Sequence, residues 1–126
     1  MSVEATHDQS FRIERHGEVA VVIPSPKVEE MHEALIQQAA KLVVSSLKED
    51  PPAGIVIDLS GVNYFGSVFV SFLLRCHMFA KKQGTEIVLS GASEPARELL
   101  HLLDLETVWA MYANQQEAIE ALSGAD

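Results

Sequence analysis

Two short apolar runs, Ile55-Val-Ile-Asp-Leu59 and Thr85-Glu-Ile-Val-Leu89, frame a stretch from Ser67 to Lys82 whose apolar residues recur at helical spacing. A strand that is apolar without alternation is covered on both faces. Two such strands joined through a helix make the repeating unit of a parallel sheet with crossover helices. Gln83-Gly84 punctuates the end of that helix in the expected way.

The flanking segments extend the pattern. Phe11-Arg-Ile-Glu-Arg15 alternates apolar and polar residues, His16-Gly17-Glu18 breaks it, and Val19-Ala-Val-Val-Ile23 follows. This predicts an N-terminal hairpin. From Glu29 to Leu47 the residues Met31, Ala34, Leu35, Ala39, Leu42, Val43 and Leu47 return at helical spacing, and Lys48-Glu-Asp-Pro-Pro-Ala-Gly54 is a loop. Ser93 caps a short helix with an early proline, Pro95, ahead of Leu99, Leu100, Leu102 and Leu103. Thr107 to Met111 reads as a last strand and Asn114 to Leu122 as a final helix. The expected architecture is α/β: a mixed sheet of four or five strands with an N-terminal hairpin, flanked by about four helices. The expected core includes Ile55, Ile57, Leu59, Phe72, Cys76, Phe79, Ile87 and Leu89, with Asp58 a polar residue at its edge.

At 126 residues the chain is close to the modal size of one domain. We expect a single domain over residues 1–126, with a polar tail at 1–9 and a short tail at 123–126. One cysteine permits no internal disulfide, which suits a reducing compartment. Nine Lys and Arg stand against 18 Asp and Glu, a formal charge of −9, which argues against a phosphate backbone as partner. Met1 to Gln9 lacks the basic and apolar regions of a secretory signal, and no apolar run is long enough to span a membrane. The expectation is a cytoplasmic protein without a membrane span and without a nucleic-acid partner.

No catalytic pattern survives inspection. The histidines, His7, His16, His32, His77 and His101, are scattered and read as solvated side chains, so no metal site is expected. His32-Glu33 lacks the second histidine of a zinc-protease helix. Ser45-Ser-Leu-Lys48 matches S-x-x-K without its companion motifs, and Phe65-Gly-Ser-Val-Phe69 lacks the outer glycines of a nucleophile elbow. Neither glycine-rich phosphate motif occurs, so no cofactor is expected. Cys76 falls on the apolar arc of its helix and reads as packing, and Trp109 as core or sheet edge. A small serine hydrolase built on Ser67 would need a base that the sequence does not identify.

The helix from Ser67 carries more information. Wound at about 100° per residue, it gathers Val68, Phe69, Phe72, Leu73, Cys76, Phe79 and Ala80 on one arc. The other arc holds Ser67, Ser71, Arg75 and Lys82, together with an apolar ridge of Val70, Leu74 and Met78. Such a ridge is either covered by a neighbouring element or serves as a docking surface. Ser67 itself could act as an ordinary N-cap.

The run Gly54-Ile-Val-Ile-Asp58-Leu-Ser-Gly-Val62-Asn-Tyr-Phe-Gly66-Ser67, followed by Ala80-Lys-Lys-Gln-Gly84-Thr-Glu-Ile-Val-Leu89, resembles the STAS domain of bacterial anti-sigma factor antagonists. Leu102-Leu-Asp-Leu105 and Glu117-Ala-Ile-Glu-Ala-Leu122 fit the same family's ending. The resemblance implies a regulatory binding protein in transcription control. Unmodified, it would dock an anti-sigma factor of the serine-kinase type. Phosphorylation of Ser67, the position matching the family's phosphoacceptor, would end the docking, with a serine phosphatase as the counterpart. The expected partner surface, read from the apolar ridge on the outward arc beside the serine, is Tyr64, Phe65, Gly66, Ser67, Val70, Leu74 and Met78. Gly66 stands where the family has Asp, Val68 where it has Ser, and Phe69 where it has Gly. Ile23-Pro24-Ser25-Pro26-Lys27 replaces the family's L-x-G-x-L-D segment. The alternatives are an unphosphorylated STAS scaffold, or a regulatory subunit of a transporter or signalling assembly. The sequence does not specify an oligomeric state.

Overall fold

The computed structural model describes residues 3–5, 11–30 and 32–123. His7, Met31, residues 124–126 and most of the expected tail at 1–9 lie outside the described residues. The elements run β1 (Val3–Ala5), β2 (Phe11–His16), β3 (Val19–Pro24), a 3-10 turn (Pro26–Glu29), α1 (Glu33–Glu49), β4 (Gly54–Asp58), α2 (Ser67–Gln83), β5 (Glu86–Ser90), α3 (Glu94–Leu102), β6 (Met111–Tyr112) and α4 (Gln115–Leu122). The expected α/β architecture is present: five strands from Phe11 onward with four helices, plus the short edge strand β1 within the segment expected to be a tail.

The six strands lie side by side in chain order. β1, β2 and β3 pair antiparallel, while β3 to β6 pair parallel. Parallel neighbours need a crossover, and crossovers are right-handed. When strands advance steadily in one direction, that handedness sends the helices of successive crossovers to one face. The main core accordingly joins Phe11, Ile13, Ile55, Ile57 and Leu89 of the sheet to Val43 and Leu47 of α1, Phe72 and Cys76 of α2 and Leu100 of α3. The other face is covered by α4, where Ala118 meets Val19, Val21, Val56 and Val88, with Ile119 and Leu122 packed alongside. Every expected core residue is buried. Among the described residues no helix is long and apolar enough to cross a membrane.

Several boundaries differ from expectation for local reasons. The segment expected to open a helix at Glu29 makes the 3-10 turn first, so α1 begins at Glu33 and turns Ile36, Ala39, Ala40, Val43 and Leu47 inward. Leu35 and Leu42, expected on the apolar face, are exposed. The last strand is Met111–Tyr112, not Thr107 to Met111. The chain before it turns tightly, with Val108 N–H donating to Leu105 C=O, and Trp109 is buried there. Its ring meets His77 edge-on with centroids 5.8 Å apart, so His77 is half-buried and not solvated as expected. His16 is also half-buried and lies 3.1 Å from the Glu14 carboxylate. Leu102 and Leu103 are exposed, whereas Leu100 faces the core.

α2 ends at Gly84, whose left-handed φ of 69° lets its N–H reach back to the last turn, a conformation costly for a side chain with a Cβ. Within α2 the rings of Phe69 and Phe72 lie 5.6 Å apart, and Phe72 stacks against Phe11 of β2 at 4.6 Å. Cys76 is wholly enclosed, and burial pushes its thiol up from 9.0 to about 12, with the Arg75 charge offsetting only part of that. The native thiol is therefore expected to resist a disulfide reagent at pH 8 and to react once the chain is unfolded. The sign of the linkage is set by the unfolded chain. Below about pH 9 neither state ionises, and between 9 and 12 only the unfolded chain loses the proton, so stability falls as pH rises through that window. Alkaline melting curves should show this loss for the wild type relative to Cys76→Ala.

Candidate functional site

The chain leaves β4 through a buried carboxylate. Asp58 is 5 % exposed, at the C-terminal end of a strand buried along its length. An ionised carboxylate there requires donors around it. Ser60 supplies two, its N–H to Oδ1 at 3.2 Å and its hydroxyl to Oδ2 at 3.0 Å. The Ser90 hydroxyl donates to Oδ1 at 3.2 Å from the end of β5, and Gln115 Nε2 donates to Oδ2 at 2.8 Å from the start of α4. One side chain thus joins the ends of two strands, the loop after β4 and the helix on the opposite face. Gly91 leaves room for it. At φ 68°, a Cβ on Gly91 would lie 2.9 Å from Asp58 Oδ1.

From that anchor the loop is fixed in steps. Val62 N–H closes a turn onto Leu59 C=O at 2.9 Å, Val62 is buried, and Asn63 N–H donates to Glu29 Oε2 at 2.8 Å. Phe65 then packs its ring 5.2 Å from Phe69, setting the angle at which the chain enters α2. Between these contacts Tyr64, Asn63 and Gly66 face outward, Tyr64 with 62 % exposure.

Ser67 is the first residue of α2, and the N-cap is Gly66, in an extended conformation. The serine is therefore not the capping residue that the sequence allowed for. Its hydroxyl is exposed and makes no hydrogen bond among the described residues. The first turn of α2 holds no acidic side chain, and its N-cap has none to offer, so the leading amides have no side-chain acceptor. The departures at Val68 and Phe69 lie away from the hydroxyl: Phe69 is buried, and Val68 is half-buried, where the sequence placed it on the core arc.

The ridge is open along most of its length. Leu74 is 38 % and Met78 61 % exposed, while Val70 is half-buried. Tyr64, Gly66, Ser67, Leu74 and Met78 therefore lie at the surface around the start and outer face of one helix, with Phe65 partly tucked beneath it. Among the described residues no three His, Cys, Asp or Glu side chains come together as a metal-binding group. The site is an apolar and hydroxyl-bearing surface. The Asp58 junction was not legible beforehand beyond its one acid. Its signal was a carboxylate ending an otherwise apolar strand, with Ser60 two residues on and Ser90-Gly91 at the same height in the next strand.

A family model described as Mlab, STAS domain, matches residues 13–112. The fold is similar to that of an anti-sigma-factor antagonist (STAS) domain protein from Planctomyces limnophilus. That similarity is at 27 % identity, over 90 % of this chain and 98 % of that one, with a TM-score of 0.79. An anti-sigma factor antagonist from Mycobacterium paratuberculosis is similar at 28 % identity, over 97 % of this chain and 95 % of that one, with a TM-score of 0.69. The anti-sigma factor antagonist SpoIIAA in its unphosphorylated form shares the fold at 20 % identity, over 90 % and 96 % of the two chains, with a TM-score of 0.76. No curated protein sequence matches this chain.

Replacing Asp58 by Ala leaves the Ser60, Ser90 and Gln115 donors facing an apolar gap, and is expected to lower stability by about 3 kcal/mol in urea unfolding. Hydrogen exchange should accelerate in residues 59–66 of that variant. Gly91→Ala should destabilise by more than about 1 kcal/mol, because the new methyl group meets the carboxylate and φ is positive. Wild-type exchange rates in the Asp58 variant would show that the loop is held by other contacts.

Proposed function

The chain belongs to the STAS domain family, and from that premise we propose that it is an anti-sigma factor antagonist whose docking surface is the start and outer face of α2, switched by phosphorylation of Ser67. The observation that carries this reading is the serine itself: exposed, without a side-chain hydrogen bond among the described residues, and the first residue of a helix whose outer face carries a largely open apolar ridge. Two relatives named as anti-sigma factor antagonists, at 27 % and 28 % identity, support the class of partner.

The mechanism follows from charge. A phosphate adds about −1.5 to −2 at pH 7. At Ser67 it would sit against the leading amides of α2, where the helix dipole and the absence of acidic neighbours favour an anion. The fold therefore tolerates the modification. A partner seated on Tyr64, Gly66, Leu74 and Met78 does not, because a hydrated dianion now stands where an apolar contact must close. The unmodified chain binds a serine-kinase-type anti-sigma factor and frees the sigma factor; the kinase activity of that same partner, at Ser67, ends the complex. A serine phosphatase restores it. In this reading the protein acts by binding and carries out no chemistry of its own.

Ser67→Asp is expected to weaken binding to the kinase-type anti-sigma factor by about tenfold or more, roughly 1.4 kcal/mol, while shifting the melting temperature by no more than about 2 °C. Ser67→Ala should bind as the unmodified wild type and fail to incorporate phosphate. Calorimetry on the three forms provides the measurement. Equal affinities would mean that the chain is an unswitched scaffold.

A further inference from the structure

In a chain of net charge −9, α2 contains no Asp or Glu and carries Arg75, Lys81 and Lys82. Its C-terminal half faces that of α1 across a cleft of about 290 Å³ lined by Val44, Lys48, Arg75, Met78, Phe79 and Lys82. Lys48, Arg75 and Lys82 are exposed, and among the described residues the ion pairs are made elsewhere, by Arg12, His16 and His101. The result is three unpaired cations around an apolar floor. A cavity at the low end of the about 300–1,000 Å³ of ligand sites takes an anchoring side chain more readily than a cofactor.

The same chain displays the complement. Along α3, Glu94, Glu98 and Leu102 follow at steps of four residues and so share one exposed stripe. Leu102 is 76 % exposed, more than any other large apolar side chain among the described residues. Arg97 and His101, three residues on from Glu94 and Glu98, border the stripe on one side, and His101 is engaged by Glu106. The stripe is about 12 Å long, and Arg75 and Lys82 lie about 10 Å apart along α2, at 1.5 Å per residue. Two acids and a leucine thus complement, in chemistry, two cations with the apolar floor of Met78 and Phe79 between them, and the whole stripe is about as long as the span from Arg75 to Lys82.

We propose that the α1–α2 cleft receives the Glu94–Glu98–Leu102 stripe of a second copy of this chain, head to tail. The surfaces in contact are different on the two copies, so the interface is heterologous and can propagate. Long-range repulsion between two chains of −9 is screened beyond about 8 Å at physiological ionic strength, which leaves the matched short-range pairs to decide. An anionic membrane or nucleic acid would instead meet an extended surface of the wrong sign. An interface of one stripe in one cleft falls below the about 1,200 Å² of a standard stable complex, so the association is weak and concentration-dependent. Met78 belongs both to this cleft and to the ridge proposed for the anti-sigma factor, so the two contacts compete.

Sedimentation velocity on the purified chain over a wide concentration range tests this directly. The wild type should show reversible self-association. K48E/R75E/K82E and E94K/E98K should each weaken it by about tenfold or more, with unchanged circular dichroism because all five side chains are exposed. Mixing the two variants should restore it, since a reversed cleft meets a reversed stripe and each remaining wild-type surface meets its own complement. Ser67→Asp should associate as the wild type, which separates this contact from the phosphorylation switch. A chain that stays monomeric throughout overturns the proposal, as does association that survives both reversals or a mixture that stays apart. Loss on cleft reversal alone, or a monomer that binds phosphatidylserine vesicles through the cleft, would assign the cleft to another occupant and equally overturn it.

Discussion

The carboxylate of Asp58 gathers at one point the ends of β4 and β5, the loop that follows β4 and the start of α4. It sits at the end of the central strand, and its four donors come from the loop that follows, from the neighbouring strand β5 and from α4 across the sheet. The site at the start of α2 depends on this arrangement, because the loop from Leu59 to Gly66 can present Tyr64 and Ser67 outward only if its first residues are pinned inward. A buried charge is costly unless every lone pair is used. Here the cost is met by donors that also fix geometry, so the junction works as a specification of shape more than as a source of stability.

α2 combines two demands that usually conflict. Its inner face is dense with aromatic and aliphatic side chains, Phe69, Phe72, Leu73, Cys76 and Phe79, which lock its position against the sheet. Its outer face is left with hydroxyls, an apolar ridge and, toward the C-terminus, cations. A helix held this firmly from beneath can afford an outer surface suited to partners, because its own stability does not rest on that surface. The segregation of charge along it, with no acidic residue over its whole length, gives its two ends different characters: an anion-tolerant start and a cationic finish.

Much of this was readable from apolar period alone. The strands at Ile55 and Ile87, the helix at Ser67 and the punctuation at Gly84 and Ser93 follow from local rules that tertiary contacts reinforce. The elements that moved are those whose limits depend on distant partners. α1 starts late because Pro26–Glu29 form a tighter turn, and Glu29 is used to hold Asn63. The last strand is displaced because Trp109 is drawn into the core beside His77. For the site, the place of Ser67 and of the ridge on the outer arc of α2 follows from helical winding, but whether a neighbour covers the ridge, and what supports the site, do not. Ser90, Gly91 and Gln115 converge on Asp58 from positions up to 57 residues away in sequence, and only the register of the sheet brings them there.

Among the described residues, the second face of the sheet is covered by α4. Val19, Val21, Val56 and Val88 are sheltered by the eight residues of α4, with Leu122 close enough to Gly54 that a Cβ there would lie 3.0 Å from its Cδ1. Since α4 follows every strand in the chain, a ribosome releases the whole valine face before it releases the helix that shields it. During that interval the nascent sheet is bare on one side and offers a flat, β-branched surface of the kind that seeds association between unfinished chains. Docking of α4, which brings the Gln115 amide to the Asp58 carboxylate, ends the exposure, so the contact that shapes the site belongs to the same packing that shields the valines.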